Sequence, residues 1–321
     1  DALLQEVSCR LRDAVDGAFI ARLGGDEFTI ISRGGPQPSA AAELGERLLA
    51  AVANDLEVAG HPLRIGLSVG IAVYPADGTD AATLLARVHL AGGRLVRTSR
   101  DGVAGGTTGA LDDYACVAEG FLTLSGVTGE ARWLDLAGQL LEVALGSFGD
   151  GQGGFYDTAA EDEALIFRPA DPADNATPSG AFAVAGALLG YSALTGSARH
   201  REAAGAALGV LPGIAARYPR AAGMGLAVAE AWLSGPAEIA VVGGPDDERT
   251  RVLHQTALHA APPGAVLALG DGIPETSSDI PLLEGRGLVD GAPAAYVCRQ
   301  FTCQAPVTTP VELTEVLSRP V

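Results

Sequence analysis

The chain has 321 residues, a net charge of −18 and a pI near 4.5. An acidic balance of that size argues against nucleic acid as a partner, because phosphate backbones select basic surfaces. All 21 basic side chains are arginine, which excludes chemistry built on a lysine, whether a Schiff base or a phosphate-loop lysine.

Length suggests two or three domains, each with enough apolar surface for a core. Arginine without lysine, together with 43 glycines, is the bias of a GC-rich bacterial genome. Cys9, Cys116, Cys298 and Cys303 are too few and too scattered for a disulfide framework, which predicts a reducing, cytoplasmic setting. The longest apolar stretch, 179–196, is interrupted by Gly and Ser and reads as a buried helix rather than a membrane span. No signal peptide is recognised, and a start at Asp1 instead of Met suggests that the natural start lies elsewhere.

In chain order, Leu3, Leu4, Val7, Leu11 and Val15 fall at helical spacing and predict an amphipathic helix. "AFIARLGGDEFTIISR" (18–33) reads as strand, turn, strand, with Gly24-Gly25 permitting a tight turn. "SAAAELGERLLAAVAN" (39–54) predicts a second amphipathic helix, and "LRIGLSVGIAVYP" (63–75) alternates as a strand does. "DGTDAATLLARV" (77–88) opens a further helix, with Thr79 or Asp80 as its cap. That succession predicts an α+β domain with helices on an antiparallel sheet.

"RLGGDEF" (22–28), followed by "SVGIAVYPADGTDAATLLARV" (68–88), resembles the GGDEF domain of diguanylate cyclases, which condense GTP into cyclic di-GMP. The resemblance implies Asp26 as a metal ligand and Glu27 at both metal and triphosphate. It places Gly24 and Gly25 where the backbone approaches the nucleotide, and Asp1 as the guanine-binding aspartate. GTP and Mg²⁺ are the cofactors of an active domain. Hard Mg²⁺ takes carboxylate oxygens, and phosphoryl transfer is chiefly charge neutralisation and positioning. The family's first strand, with a second metal-binding aspartate and a guanine-binding asparagine, falls before Asp1. The RxxD inhibitory motif is replaced by "VDGA" (15–18), and after Arg87 the last helix gives way to "VHLAGGRLVRT" (88–98). One carboxylate pair binds Mg²⁺ weakly, because the ion keeps its waters. The expectation is a truncated, inactive domain over residues 1–88.

Beyond residue 89, long amphipathic helices joined by Gly/Asp turns are expected. "LTLSGVTGEARWLDLAGQLLEVAL" (122–145) echoes "LGYSALTGSARHREAAGAALGVL" (189–211), with the Thr-Gly turn of Thr128 recurring at Thr195, as in stacked helical hairpins. Gly129 and Gly196 read as helix-ending glycines. Between the copies lies a long loop (148–182), with a short β-hairpin expected within 153–169 and a helix start at Thr177 as cap and Pro178 as first residue. After about residue 236 the pattern is strand, turn, helix, strand, and then strand and helix over 294–317. "VVGGP" (241–245) lacks G-x-G-x-x-G and G-K-[ST], and reads as a plain βα turn.

"LVRTSRDG" (95–102), "LDDYA" (111–115), "GGFYDT" (153–158), "NATPSG" (175–180), "GPAEIAVVGG" (235–244) and "YVCRQFTCQAPV" (296–307) together resemble the C-terminal half of a family of thioredoxin-domain proteins. That family includes the spermatogenesis-associated proteins of animals and related bacterial proteins. The resemblance implies an (α/α)6 toroid similar to six-hairpin glycosidases and sugar epimerases, here without the thioredoxin-like domain and the first hairpins, and a carbohydrate-related role.

Glycosidase-type chemistry needs two carboxylates facing one cavity. Asp112, Asp113 and Asp157 are the catalytic candidates, with Asp174 beside them and Tyr114, Tyr156 and Arg168 as sugar or phosphate contacts. Asp112 and Asp113 open a helix and better suit its N-terminus as cap and dipole partner, and Asp157 and Asp174 equally suit turns. Odd spacing puts Cys298 and Cys303 on opposite faces of one strand, which predicts two buried thiols rather than a disulfide or a zinc site. The histidines form no HExxH, and Trp133 and Trp232 take core positions.

The expected fold class is multi-domain. A truncated α+β GGDEF-like domain (1–88) is followed by an incomplete α/α toroid of helical hairpins (89–235) and a small C-terminal α/β appendage (236–321). No linker marks the join near 87–93. Three functions compete: a carbohydrate-related toroid, glycosidase- or epimerase-like if active; a diguanylate cyclase or degenerate GTP or cyclic di-GMP binder; and a non-functional chimera. The expected partner is a small-molecule ligand, nucleotide or sugar, with neither nucleic acid nor a membrane span. An open toroid exposes apolar hairpin faces and predicts self-association.

Overall fold

A computed structural model describes residues 2–15, 17–24, 27–32, 35–53, 56–58, 61–63, 65–67, 69, 71, 89–91, 93–100, 103–162, 167–175, 177–273 and 279–318. The chain divides into two compact units, Asp1–Thr108 and Gly109–Val321.

In the first unit, α1 (Ala2–Ala14) and α2 (Ser39–Val52) bury the faces that their spacing marks: Val7, Leu11 and Val15 on one, Leu44, Leu48 and Val52 on the other. Between them, β1 (Phe19–Gly24) pairs antiparallel with β2 (Glu27–Ile31), Ile20 opposite Ile30, and the register shifts between Arg22 and Gly24. Phe28 and Ile30 pack on the same core. Of the strand expected over 63–75, the described residues Ile65, Leu67 and Val69 also pack there, at the alternation a strand face requires. The helix expected over 77–88 lies outside the described residues. Short antiparallel pairs make up the rest: β3 (Leu56–Val58) with β4 (His61–Leu63), β5 (Leu90–Ala91) with β6 (Arg94–Leu95), and β7 (Ser99–Arg100) with β8 (Val103–Ala104). The described residues of 89–104 therefore include short antiparallel strand pairs where helices were expected. Gly93, at φ 80, supplies the left-handed residue of the β5–β6 turn.

The second unit opens with two helical hairpins, α3 (Leu111–Thr128) with α4 (Ala131–Val143), and α5 (Gly180–Thr195) with α6 (Ala198–Ala207). Both bends are the repeated Thr-Gly turns. Gly129 and Gly196 each sit at φ 73 and donate to Ser125 O and Ser192 O, the left-handed cap that glycine adopts without a Cβ penalty. The 179–196 stretch forms α5, which is buried on nearly all sides between Gly180 and Leu194. Its cap is Ser179, whose Oγ accepts from Phe182 N at 3.2 Å, not Thr177 as expected. Ser179 is the residue whose hydroxyl reaches an orphan N–H of the first turn. α4 continues as a π turn (Ala144–Phe148) that buries Phe148 against Tyr114, with ring centroids 5.2 Å apart. Phe121 stacks on Trp133 at 5.4 Å, so this tryptophan is core, as expected. Two further helices follow, α7 (Leu211–Arg217) and α8 (Gly223–Ser234).

The chain then builds a sheet in the order β10-β9-β11-β12, from β9 (Glu238–Val242), β10 (Val266–Gly270), β11 (Ala294–Arg299) and β12 (Thr302–Cys303). β9 and β10 are parallel and joined through α9 (Glu248–Ala260), while β11 runs antiparallel to β9. α9 and α10 (Pro310–Leu317) bury Leu253, Ala257, Leu313 and Leu317 against Ile239, Val241, Ala295 and Val297. The sheet sits directly on α3: a Cβ on Gly126 would lie 2.8 Å from Leu267 O.

The cysteine expectation is overturned. Cys298 and Cys303 are joined by a disulfide. A two-residue turn at Gln300-Phe301 reverses the chain between them, so they face each other across β11 and β12 instead of opposing each other on one strand. Nor does 153–169 form a hairpin among the described residues. A single Gly149–Phe155 bridge closes a loop around the Asp150 carboxylate, which accepts from Gln152 N and Gly154 N. Among the described residues, no helix is long and apolar enough to cross a membrane.

Candidate functional site

The start of α3 and the loop after α4 form an acidic end to the hairpins. Leu111 N donates to Asp157 O at 3.0 Å, and Asp157 N donates to Pro169 O at 2.8 Å. Asp157 is thereby held between the first residue of α3 and the far arm of the loop. Its Oδ2 accepts from Asp171 N at 3.0 Å. Burial raises the Asp157 carboxyl above the usual carboxylate range. The Asp171 N–H opposes that rise, and the Asp171 and Asp112 carboxylates add to it. The charges of Asp112 and Asp171 thus bear on Asp157. Asp171 is the residue that sequence reading missed. Its signal was its place in "DPAD" (171–174), which puts a second carboxylate three residues before Asp174.

The other candidates have structural partners. Asp113 Oδ2 accepts from Ala110 N at 2.8 Å and closes the first turn of α3. Asp174 accepts from Ser179 N at 2.9 Å and from Met224 N at 2.8 Å, and so holds the starts of α5 and α8. The Tyr114 ring is buried in the core. The Arg168 guanidinium lies 4.1 Å over the Tyr156 ring and donates to Ser147 O and Thr158 O, bracing the loop against the π turn. A carboxyl held above its usual range beside two further carboxylates offers a group of oxygens able to hydrogen-bond the hydroxyls of a ligand. Among the described residues, no group of three or more His, Cys, Asp or Glu side chains is placed to hold a metal.

In the first unit, the β1–β2 pairing sets Gly24 opposite Glu27 at the end of the hairpin. Asp1, Gly25 and Asp26 lie outside the described residues.

The fold and sites define a chain of two unlike parts, a unit of helices and short antiparallel strand pairs and a helical-hairpin unit with a sheet. Residues 1–100 match the family model described as diguanylate cyclase, GGDEF domain. An uncharacterised signalling protein of Caulobacter vibrioides is 45% identical over 93 residues, covering 28% of this chain and 12% of that protein. The bifunctional diguanylate cyclase/cyclic di-GMP phosphodiesterase MucR of Pseudomonas aeruginosa is 41% identical over 86 residues, covering 26% of this chain and 12% of that protein. Spermatogenesis-associated protein 20 of Rattus norvegicus is 30% identical over an alignment of 290 residues that covers 86% of this chain. The chain spans about a third (36%) of the length of that relative. The chain thus carries a GGDEF domain at its N-terminus and similarity to spermatogenesis-associated protein 20 over most of its length.

Proposed function

We propose that the protein's working part is its helical-hairpin segment, a portion of an (α/α)6 toroid with a carbohydrate-related role, and that a small saccharide binds at the acidic end formed by Asp112, Asp157 and Asp171. Residues 89–235 are read as the toroid segment, 236–321 as its α/β subdomain and 1–88 as a partial GGDEF-like domain, in a cytoplasmic protein. The observation that carries this reading is the Asp157 carboxyl, raised by burial and by two neighbouring carboxylates. Unequal carboxyl groups side by side are what glycoside chemistry uses. On this reading Asp157 donates a proton, Asp112 accepts from hydroxyls, and Asp113 and Asp174 hold the helix ends. Calorimetric titration with a panel of mono- and oligosaccharides tests it. Saturable binding that Asp157→Asn abolishes supports the reading. No binding at millimolar sugar, or binding indifferent to Asp157, contradicts it.

A second reading rests on the family match over residues 1–100. On it, Asp26 and Glu27 hold Mg²⁺ while Gly24, Gly25 and Asp1 meet GTP, the ion supplying charge neutralisation at the phosphates. Mg²⁺-dependent GTP binding, lost on Asp26→Ala with Glu27→Ala, supports it. Under a third reading the two parts are joined only artificially. Failure to amplify source DNA across the codons for residues 80–100 would establish that.

A further inference from the structure

We propose that Cys298 and Cys303 form a thiol–disulfide exchange site, in which a low-molecular-weight thiol attacks Cys303 and Arg286 receives the charge released on Cys298. The two halves of the bond are unlike. Cys298 is 1% exposed, whereas Cys303 is open to solvent and borders a cavity of about 510 Å³ shared with Thr195, Arg286, Tyr296 and Phe301. A thiol in that cavity meets Cys303 first.

Exposure gives the site its direction, and Arg286 supplies the positive charge beside both sulfurs. Its side chain is buried at 9% exposure, and its guanidinium donates to Cys303 Sγ at 3.2 Å and to Cys298 Sγ at 3.4 Å. Nε has no partner among the described residues. A buried cation requires a strong acceptor, and a disulfide sulfur is a weak one. A thiolate is a strong one, so the guanidinium is better matched once the bond opens. Its other contacts include Nη1 donating to Glu284 O at 3.1 Å and the attraction of the buried Glu238, which also accepts from Phe301 N at 2.7 Å, so the guanidinium side facing the sulfurs is the one that a thiolate would match.

The chemistry balances. A thiolate RS⁻ bonds to Cys303 Sγ as the Cys303–Cys298 bond breaks, and the electron pair leaves on Cys298 Sγ beside Arg286. A second RS⁻ attacks the RS sulfur of the adduct and releases RSSR and the Cys303 thiolate. Two thiols are oxidised, the protein pair gains two electrons, and the protons of the two thiols end on the pair or in solvent. Opening the bond also removes one tie across the Gln300-Phe301 turn, whose residues sit at φ 48 and φ 60 beside the cavity, while Phe301 N stays bonded to Glu238.

The test incubates the whole chain with reduced glutathione across a pH series, quenches with a maleimide and maps the labelled peptides by mass. Cys9 and Cys116, exposed cysteines outside the disulfide, report on the reagent in every sample. The expected result is joint labelling of Cys298 and Cys303 with the trapped glutathione adduct on Cys303. In Cys298→Ser treated with oxidised glutathione, the adduct accumulates on Cys303. Arg286→Gln is expected to slow opening about tenfold at neutral pH, as loss of one charge-assisted hydrogen bond implies, and to move the Cys298 labelling profile to higher pH. An adduct on Cys298, no adduct at either cysteine, or an unchanged pH profile in Arg286→Gln would overturn the proposal. The wild-type map needs no variant and decides the matter if a variant fails to fold.

Discussion

The Asp174 carboxylate reaches Met224 N at 2.8 Å across fifty positions of chain while its other oxygen takes Ser179 N at 2.9 Å. One side chain therefore satisfies orphan donors at the starts of α5 and α8. Asp174→Ala leaves both unpaired, and the expected cost is about 1–3 kcal/mol in urea denaturation with an unchanged m-value. Asp174→Asn keeps one acceptor oxygen and is expected to cost less. An Asp174→Ala protein as stable as the parent would show that water replaces both bonds.

Two glycines of α3 are expected to respond oppositely to alanine. Gly126 faces the sheet, where a Cβ would meet Leu267 O at 2.8 Å, while a Cβ on Gly120 meets nothing within 4 Å. Gly126→Ala is expected to destabilise by about 1–3 kcal/mol through forced separation of helix and sheet. Gly120→Ala is expected to stabilise by about 0.5–1 kcal/mol through helix propensity. Thermal melts of the two variants separate packing from propensity.

His200 gives the second unit an acid sensitivity. Burial lowers its pKa, against the pull of Glu142, and its Nδ1 pairs with Ser197 Oγ at 2.7 Å. The folded state then binds this proton less tightly than the unfolded chain. Its contribution to stability is complete above the ordinary value of 6.5 and declines as pH falls through it. Urea midpoints at pH 7.5 and pH 5.5 should differ more in the parent than in His200→Gln. Equal differences would remove His200 as the cause.

Asp113→Ala separates the cap from the proposed ligand site. Losing the bond to Ala110 N is expected to cost about 0.5–2 kcal/mol. Sugar affinity, measured on the fraction that remains folded, should hold. A lost affinity at full stability would return Asp113 to the group of ligand-contacting carboxylates.

Much of this fold was legible. Val7 and Leu11 were readable as core from helical spacing, and Gly129 and Gly196 as helix-ending glycines from the repeated Thr-Gly turn, because local periodicity and backbone chirality act through near neighbours. What escaped reading depends on tertiary return. The Cys298–Cys303 bond hinges on a turn at Gln300-Phe301 that has no glycine to announce it. Asp174 looked like a turn residue until α8 came back to meet it. Of the acidic end, Asp112 and Asp157 were readable as candidates, but Asp171 joins them only because the loop folds its backbone N–H onto Asp157.

The most direct measurement is the titration of the Asp157 carboxyl by carbon-detected NMR in the intact chain, beside Asp171→Asn. Burial and two neighbouring carboxylates should set its midpoint above the ordinary aspartate value of 3.8. Asp171→Asn should bring it part of the way down, since it removes a negative neighbour and keeps the backbone donor. A midpoint at or below 3.8 in the parent would mean that Asp157 is an ordinary surface carboxylate, and the proposed acid of the site would be gone.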